Sequence, residues 1–486
     1  MGFDVTSEVR ENLEQVSSIL RTAALNSSNL DDALRLMQLY ARLHWDNISG
    51  FFADDALEQS LFERWSPNIT MAQEHQNPTV DFLHIATQVY HGGGHTRLLR
   101  HLIHGLSEYG SQALLLTDAK RNNAFEGWDV DMLTVDGTLA SRVGKIVDIG
   151  AKAETILLHT HPDDSAAALA ARILRQSGKK VLFVNHADHV FSLGPGAADV
   201  VLEICMTGWR TTRGRRNARV QSFMGIPVAK TGEIDPIWER NRKGPIVSMG
   251  GPGKFKPDDP LNFPEFLTKF LPRVQNDVIL IGPSQKDTWW ASIIRNFPDR
   301  IKLMGPQPPE KVAEIMRSAS CYVDSFPLDG GTAYPQAALM GVPCFGPNGG
   351  NAPGVSPADK LRFSTVEEMQ EALISYLEGG PYPFDLNKTR ERIAKDFSSS
   401  AVAKRVILAR DGISQKPFEH LKKSGQRSPD FNAHRWEKGG VLHLPKRQWR
   451  GLSFKTRIYL VRRVFVVGLA KPLSKTLIFR ILTNWI

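Results

Sequence analysis

Two series of short apolar runs, each alternating with helix-patterned segments, restrict this chain more than anything else in it. In the first series the runs are "VDFLHIATQVY", "QALLLTD", "TILLHTH" and "KVLFVNH", beginning near residue 80. In the second they are "PIVSMGG", "DVILIGP", "IKLMGP", "CYVDSFP" and "VPCFGP", beginning near residue 244. Runs this short, bounded by Gly, Pro and Asp, read as strands buried on both faces. Amphipathic stretches separate them: "SAAALAARILRQSG" with Gly178 as its stop, "PPEKVAEIMRSA" and "TAYPQAALMG". Alternating strands and helices form βαβ units, and these build parallel sheets. The expectation is an α/β chain with two doubly wound domains, 79–243 and 244–415, of similar size and without a sequence repeat between them.

The flanks differ in kind. Residues 1–78 read as a helical lead domain, in which "NLDDALRLMQLYARLHW" has Asn29 as a cap and Asp31 and Asp32 in its first turn. Residues 416–486 read as a basic linker and an amphipathic tail. The net charge of +9 belongs to that tail: 441–486 holds ten Lys/Arg and no Asp/Glu, leaving 50 basic and 51 acidic groups elsewhere. A nucleic-acid binder needs its basic surface on the folded body, so that partner class is excluded. Three cysteines without metal-ligand spacing fit a reducing compartment. With no leader-like start and no apolar run long enough to span a bilayer, the expected location is cytoplasmic.

Open parallel sheets bind ligands beyond the carboxyl ends of their strands. Two such sheets place the site in the cleft between those ends. On the first side the strand ends carry His91 and His95, Asp118, His159 and His161, then Asn185, His186, Asp188 and His189. The "HTH" and "HADH" spacings lie on loops and lack an acidic third ligand, so no metal is expected. The loop "HGGGH" fails the dinucleotide pattern G-x-G-x-x-G. Behind it Leu98, Leu99, Leu102, Ile103 and Leu106 share one helical face. On the second side "SMGGPGKFKP" supplies Gly250, Gly251 and Gly253 with Lys254 and Lys256. Further on, Gly330, Gly331 and Thr332 open a helix. Glycines allow backbone approach, lysine gives a point charge, and a helix start attracts phosphate. Bases on one side and a diphosphate site on the other are what group transfer from a nucleotide-linked donor requires.

The stretch "DSFPLDGGTAYPQAALMGVPCFG" resembles the donor-binding segment of GT-B glycosyltransferases, nearest to the O-linked N-acetylglucosamine transferase-like group. "GKFKP" is similar to that group's lysine loop, and "NHADHVFSLGPGAADVVLEICMTGWRTTRGRR" resembles bacterial polysaccharide glycosyltransferases. The likeness spans roughly 80–410, specific in 324–346 and loose elsewhere. It implies two Rossmann-like domains facing a cleft. Residue by residue it implies a donor site of Gly250, Gly251, Lys254, Gln307, Asp324, Gly330, Gly331, Thr332 and Gln336. It also implies His95 as the active-site histidine and an acceptor-side loop of His91, Gly92, Gly93 and Gly94. Gln336 stands where an acidic ribose ligand is usual, and Leu328 with Gln336 replaces the paired glutamates of the retaining group. The only D-x-D is "DVD" at 129–131.

Together these imply an inverting, metal-independent transfer of sugar from a nucleotide-sugar, UDP-linked, to a saccharide acceptor, with no further cofactor. The base candidates are His95, then His161, His186 and Asp188. Arg210, Arg213, Arg215 and Arg216 either steer an anionic acceptor or form a solvated loop. The final "LSKTLIFRILTNWI" forms an amphipathic helix with Leu473, Leu477, Ile478, Ile481, Leu482 and Trp485 on one face. Such a tail fits the surface of an anionic membrane, on the inner face of the cytoplasmic membrane, and a lipid-linked glycan as acceptor. A nucleotide-sugar epimerase on the same fold, or a non-catalytic assembly member, are the alternatives.

Overall fold

The computed structural model describes residues 5–47, 49–69, 79–90, 93–118, 128–228, 241–258, 261–348, 357–422 and 445–470. The first sheet has seven parallel strands: β1 (Val80–Ala86), β2 (Gln112–Leu116), β3 (Asp131–Thr134), β4 (Ala153–His159), β5 (Lys180–Asn185), β6 (Val200–Glu203) and β7 (Val220–Phe223). Their order is β3-β2-β1-β4-β5-β6-β7. The second has five: β8 (Ile246–Met249), β9 (Val278–Ile281), β10 (Ile301–Gly305), β11 (Cys321–Val323) and β12 (Cys344–Phe345), in the order β10-β9-β8-β11-β12. Both orders reverse after the first strand. The switch points therefore lie between β1 and β4 and between β8 and β11, where a crevice opens beyond the strand ends.

The helices in chain order are α1 (Val5–Leu25), α2 (Leu30–Asn47), α3 (Asp55–Trp65), α4 (Gly94–Leu106), α5 (Leu139–Gly150), α6 (Ser165–Gln176), α7 (Met206–Arg215), α8 (Phe263–Phe270), α9 (Ala291–Asn296), α10 (Pro309–Ser318), α11 (Ala333–Leu339), α12 (Val366–Leu377), α13 (Leu386–Phe397) and α14 (Ser399–Arg410). Local chemistry explains their limits. Asn29 Oδ1 accepts from the Asp32 N–H at 2.8 Å and caps α2. Asp164 caps α6 through the Ala167 N–H at 3.1 Å. That helix stops at Gly178, whose φ of +89° is the left-handed conformation of a helix terminator. The apolar stripe of α4 is buried as its spacing predicts, from Leu98 to Leu106.

Nine of the twelve strands match the runs quoted above, and "DVVLEIC" before α7 corresponds to β6. The edge strands β3 and β7 carry no apolar run that would mark them. In β3 the side chains are mostly exposed, and the outer end of β7 is exposed too. The arginine stretch departs from expectation. It is helix α7 rather than a loop, and Arg216 after it is buried, donating to the Asp188 and Val190 carbonyls at 3.1 and 2.8 Å.

The two sheets are not isolated bodies. One apolar cluster joins Leu98, Leu102 and Leu182 of the first unit to Val247, Tyr322 and Ala337 of the second. Helix α14 returns from the second unit to pack on α4. There a side chain at Gly105 would collide with the Ser399 carbonyl at 2.1 Å, so only glycine permits this approach. On the other side of the first sheet α2 lies against α5 and α6, and α3 against α6. Arg172 of α6 pairs there with Asp55 and Glu58 of α3. Two further helices, Lys446–Arg450 and Phe454–Ala470, pack on α2 and α1, burying Trp449, Leu452 and Leu460.

Candidate active site

The carboxyl ends of β1, β4 and β5 bring three of the predicted histidines together. His95 opens α4, His161 follows β4 and His186 follows β5. The His95 and His186 rings lie 4.3 Å apart between centroids, and His95 and His161 lie 6.1 Å apart. His95 Nε2 donates to the His159 carbonyl at 3.0 Å. In a neutral imidazole this leaves the lone pair on Nδ1. That nitrogen is buried and has no hydrogen-bond partner among the described residues. Burial, then the neighbouring His161, pushes the His95 pKa down to about 4, against the opposing effect of the His159 carbonyl. Burial does the same to His161, also to about 4, and holds His186 well below its usual value. These rings are therefore neutral at pH 7 and able to accept a proton.

A second polar chain runs beneath them. Gln112 Nε2 donates to the Ile103 carbonyl at 2.9 Å, which turns its Oε1 toward His84 Nε2, also at 2.9 Å. His84 Nδ1 must then accept from His159 Nε2, 3.0 Å away. Both imidazoles are fully buried. Their tautomers are thus fixed by an amide that sequence patterning passes over.

On the opposite side Lys254 lies in the turn after β8 and donates through Nζ to the Asp329 carbonyl. Burial lowers its pKa, opposed by Asp324 and Asp329. Asp324, fully buried, accepts from the Gly330 N–H at 3.0 Å and from Arg362 Nη2 at 2.8 Å. The Gly331 N–H donates to the Asp329 carbonyl at 3.1 Å. The N–H groups of Gly330 and Gly331 are thus engaged within the loop instead of facing out of it, and α11 begins one residue past Thr332. Gly250 sits so close to the loop that an added Cβ would lie 3.1 Å from Lys254 Cδ and 3.3 Å from Ser325 Oγ. Gly251 is exposed and starts the turn that carries Lys254, whose N–H bonds back to its carbonyl at 2.9 Å. Gln307, after β10, donates to the Met304 carbonyl at 2.6 Å.

Two contacts join these halves. A Cβ on Gly94 would lie 3.7 Å from Thr332 Oγ1, so the glycine–histidine loop abuts the second unit's glycine loop directly. Arg97, one turn into α4, donates to Gln336 Oε1 at 2.6 Å. Gln336 therefore faces the cleft but is held by an arginine that periodicity assigns only to the polar side of α4.

Asp188 stands apart from this group. Its carboxylate accepts from Cys205 Sγ at 2.7 Å, and His189 Nδ1 lies 3.4 Å away. Burial raises its pKa, but the bonds to His189 and Cys205 outweigh that and hold it low. His91 and Gly92 lie outside the described residues, while Gly93 is exposed with a φ of +108°. Asp164 is a residue that sequence reading missed. It accepts from Thr87 Oγ1 at 2.7 Å and from Thr117, and so ties the ends of β1 and β2 to α6. Among the described residues, no three His, Cys, Asp or Glu side chains converge to hold a metal ion.

No family model matches the sequence, and no curated protein does. Solved structures do resemble the fold. A glycosyltransferase from Rickettsia africae is 11% identical, with 70% of this chain covering 99% of that one at a TM-score of 0.50. A mutant O-GlcNAc transferase from Thermobaculum terrenum is 15% identical over 84% of this chain and 81% of its own, with a TM-score of 0.48. A UDP-GlcNAc 2-epimerase from Methanocaldococcus jannaschii is 9% identical over 68% and 98%, with a TM-score of 0.40. At such identities the likeness is one of fold, two doubly wound units facing each other in the GT-B arrangement.

Proposed function

We propose that this chain is a glycosyltransferase that moves a sugar from a nucleotide-sugar, UDP-linked, to a saccharide acceptor by a single inverting displacement without a metal ion. The carrying observation is the Gly94–Thr332 contact, which sets the His95 loop against the loop that adjoins Lys254. A donor lying between them would have its diphosphate beside Lys254 and its sugar toward His95. The acceptor hydroxyl attacks C1, and its proton passes to the His95 lone pair as the O–H bond breaks. The bond from C1 to the diphosphate breaks in the same step, and the leaving charge is met by Lys254. Gln307 and Gln336 would border the base and ribose. The fold shared with the Rickettsia africae glycosyltransferase supports this reading.

The tail 441–486 is assigned in this reading to an anionic membrane surface, with the acceptor a lipid-linked glycan. The support is its charge, ten Lys/Arg without Asp/Glu. The test begins with thermal-shift screening of nucleotide-sugars, followed by product analysis of those that bind. Transfer with inverted anomeric configuration is expected. A free epimerised sugar nucleotide as product would establish the epimerase alternative instead, and absence of binding by any nucleotide-sugar would leave only the assembly role.

A further inference from the structure

We infer that the helix Phe454–Ala470 is itself the membrane-contacting surface, and that it holds the acceptor side of the cleft close to the bilayer. This rests on the membrane reading above and moves the contact from the last residues of the chain to a helix docked on the body. One side of that helix is fixed. Leu460 is fully buried with Trp449 and Leu452 against α1 and α2, and Thr456 Oγ1 donates to Asp32 Oδ2 at 3.0 Å. The other side carries large apolar groups in water: Phe454 is 71% exposed, Ile458 39% and Tyr459 38%.

Helical spacing puts Phe454, Ile458 and Arg462 in one stripe on the side away from Leu460. Lys455, Arg462 and Arg463 are exposed beside them, and Arg463 Nε donates to Tyr459 Oη at 3.1 Å. A single exposed apolar residue needs no explanation, but aromatic and aliphatic groups interleaved with cations on the free face of a docked helix do. From 441 to 486 there is no acidic residue to balance them. That sign favours an anionic lipid surface and disfavours a second copy, whose like-charged face would repel this one. No described helix is long and apolar enough to cross a membrane, so the helix lies in the plane of the surface.

The same segment reports where the site sits. Arg447 donates to Asp118 at 3.3 Å and Gln448 to Asp163 at 3.1 Å, on the loops that follow β2 and β4. His161 lies on the second of these loops. Phe454 is six positions beyond Gln448, which limits their separation to roughly 20 Å. The loop that carries His161 is thus tethered through Gln448 to the helix that meets the bilayer, on the side where a lipid-linked acceptor would approach.

Flotation of the full chain with vesicles of phosphatidylcholine, with and without phosphatidylglycerol, tests this without any donor present. Binding is expected only with phosphatidylglycerol, and to weaken with salt. The double variant Phe454→Ser/Ile458→Ser should lower partition roughly tenfold or more, and Arg462→Glu roughly fivefold or more. Both should melt like the parent and turn over a water-soluble acceptor normally. If the double variant floats as well as the parent while Leu477→Ser/Ile481→Ser does not, the inference is overturned. Concentration-dependent self-association through this face, without vesicle binding, overturns it equally. A chain that floats as expected but transfers no sugar overturns only the enzymatic reading.

Discussion

The guanidinium of Arg97 in α4 donates to Gln336 Oε1 in α11 at 2.6 Å, joining helices of the two α/β units across 239 positions of sequence. Arg97 is largely enclosed, and burial lowers its pKa. A charged donor in such surroundings contributes more than a neutral pair, about 1.5–3 kcal/mol. A double-mutant cycle of Arg97→Ala and Gln336→Ala in urea should return a coupling energy of about 1–3 kcal/mol. Strictly additive losses would mean that the two units do not meet this way in solution.

Lys254 makes the sharpest prediction about the donor. Removing its ammonium should weaken UDP binding by roughly 10- to 100-fold, the worth of a charge-assisted hydrogen bond. Calorimetric titration of Lys254→Met with UDP checks this. Lys254→Arg should not restore affinity, because a point charge and a planar fork present their donors differently, and the stem runs so close to Gly250 that a Cβ there would lie 3.1 Å from Lys254 Cδ. Affinity equal to the parent in Lys254→Met would remove Lys254 from the donor site.

Much of this architecture is legible in the sequence. Apolar runs mark the buried strands because a parallel sheet covered on both faces tolerates little else. β3 and β7 are not, because an edge strand with exposed side chains has no such constraint. The histidines stand out by recurring at successive strand ends, and three of them do converge. Position along the chain puts Asp188 in the same group, but its side chain turns to Cys205, a pairing set by the packing of α7. The Arg97–Gln336 bond, the Gln112–His84–His159 chain and the docking of Trp449 depend on where distant segments meet. No local pattern records that.

His95 as base predicts a particular pH profile. With a pKa pushed to about 4 by burial, kcat/KM should rise as pH climbs through that value and show no further rise from this group toward neutrality. His95→Gln should lower kcat/KM by about 10²–10⁴ while changing UDP affinity little. A parent-like rate for His95→Gln would transfer the role to His161 or His186.

Stability should fall on mild acidification. Six imidazoles, those of the buried His44, His84 and His159 and of the half-buried His95, His161 and His186, are held below their usual pKa by desolvation. Unfolding between about pH 4.5 and 6.5 lets them take up protons, so each adds stability that grows with pH in that window. Glu58 and Glu203, raised to about 7, and Asp163, raised to about 6, act in the opposite sense, because unfolding releases their protons. The imidazoles outnumber them, leaving an uptake of about three protons and a slope of at most about 4 kcal/mol per pH unit. Urea midpoints measured from pH 5 to 7 should rise with pH. A flat or falling series would place these histidines in water.

The pair Arg362–Asp324 shows how the donor loop keeps its shape. Asp324 is fully buried, with Arg362 Nη2 at 2.8 Å and the Gly330 N–H at 3.0 Å as its partners. Arg362 also lies over the Tyr334 ring, 4.4 Å from its centroid. Arg362→Ala would take from the buried carboxylate the cation that hydrogen-bonds it, at a cost of about 3–5 kcal/mol. Asp324→Asn keeps an acceptor for Gly330 and leaves Arg362 with a second carboxylate, Asp329 at 3.8 Å, so it should cost less. The order of the two in chemical unfolding is the discriminating result. If Asp324→Asn is the more damaging, the carboxylate is stabilised by groups other than Arg362, and the loop's geometry does not hang on this pair.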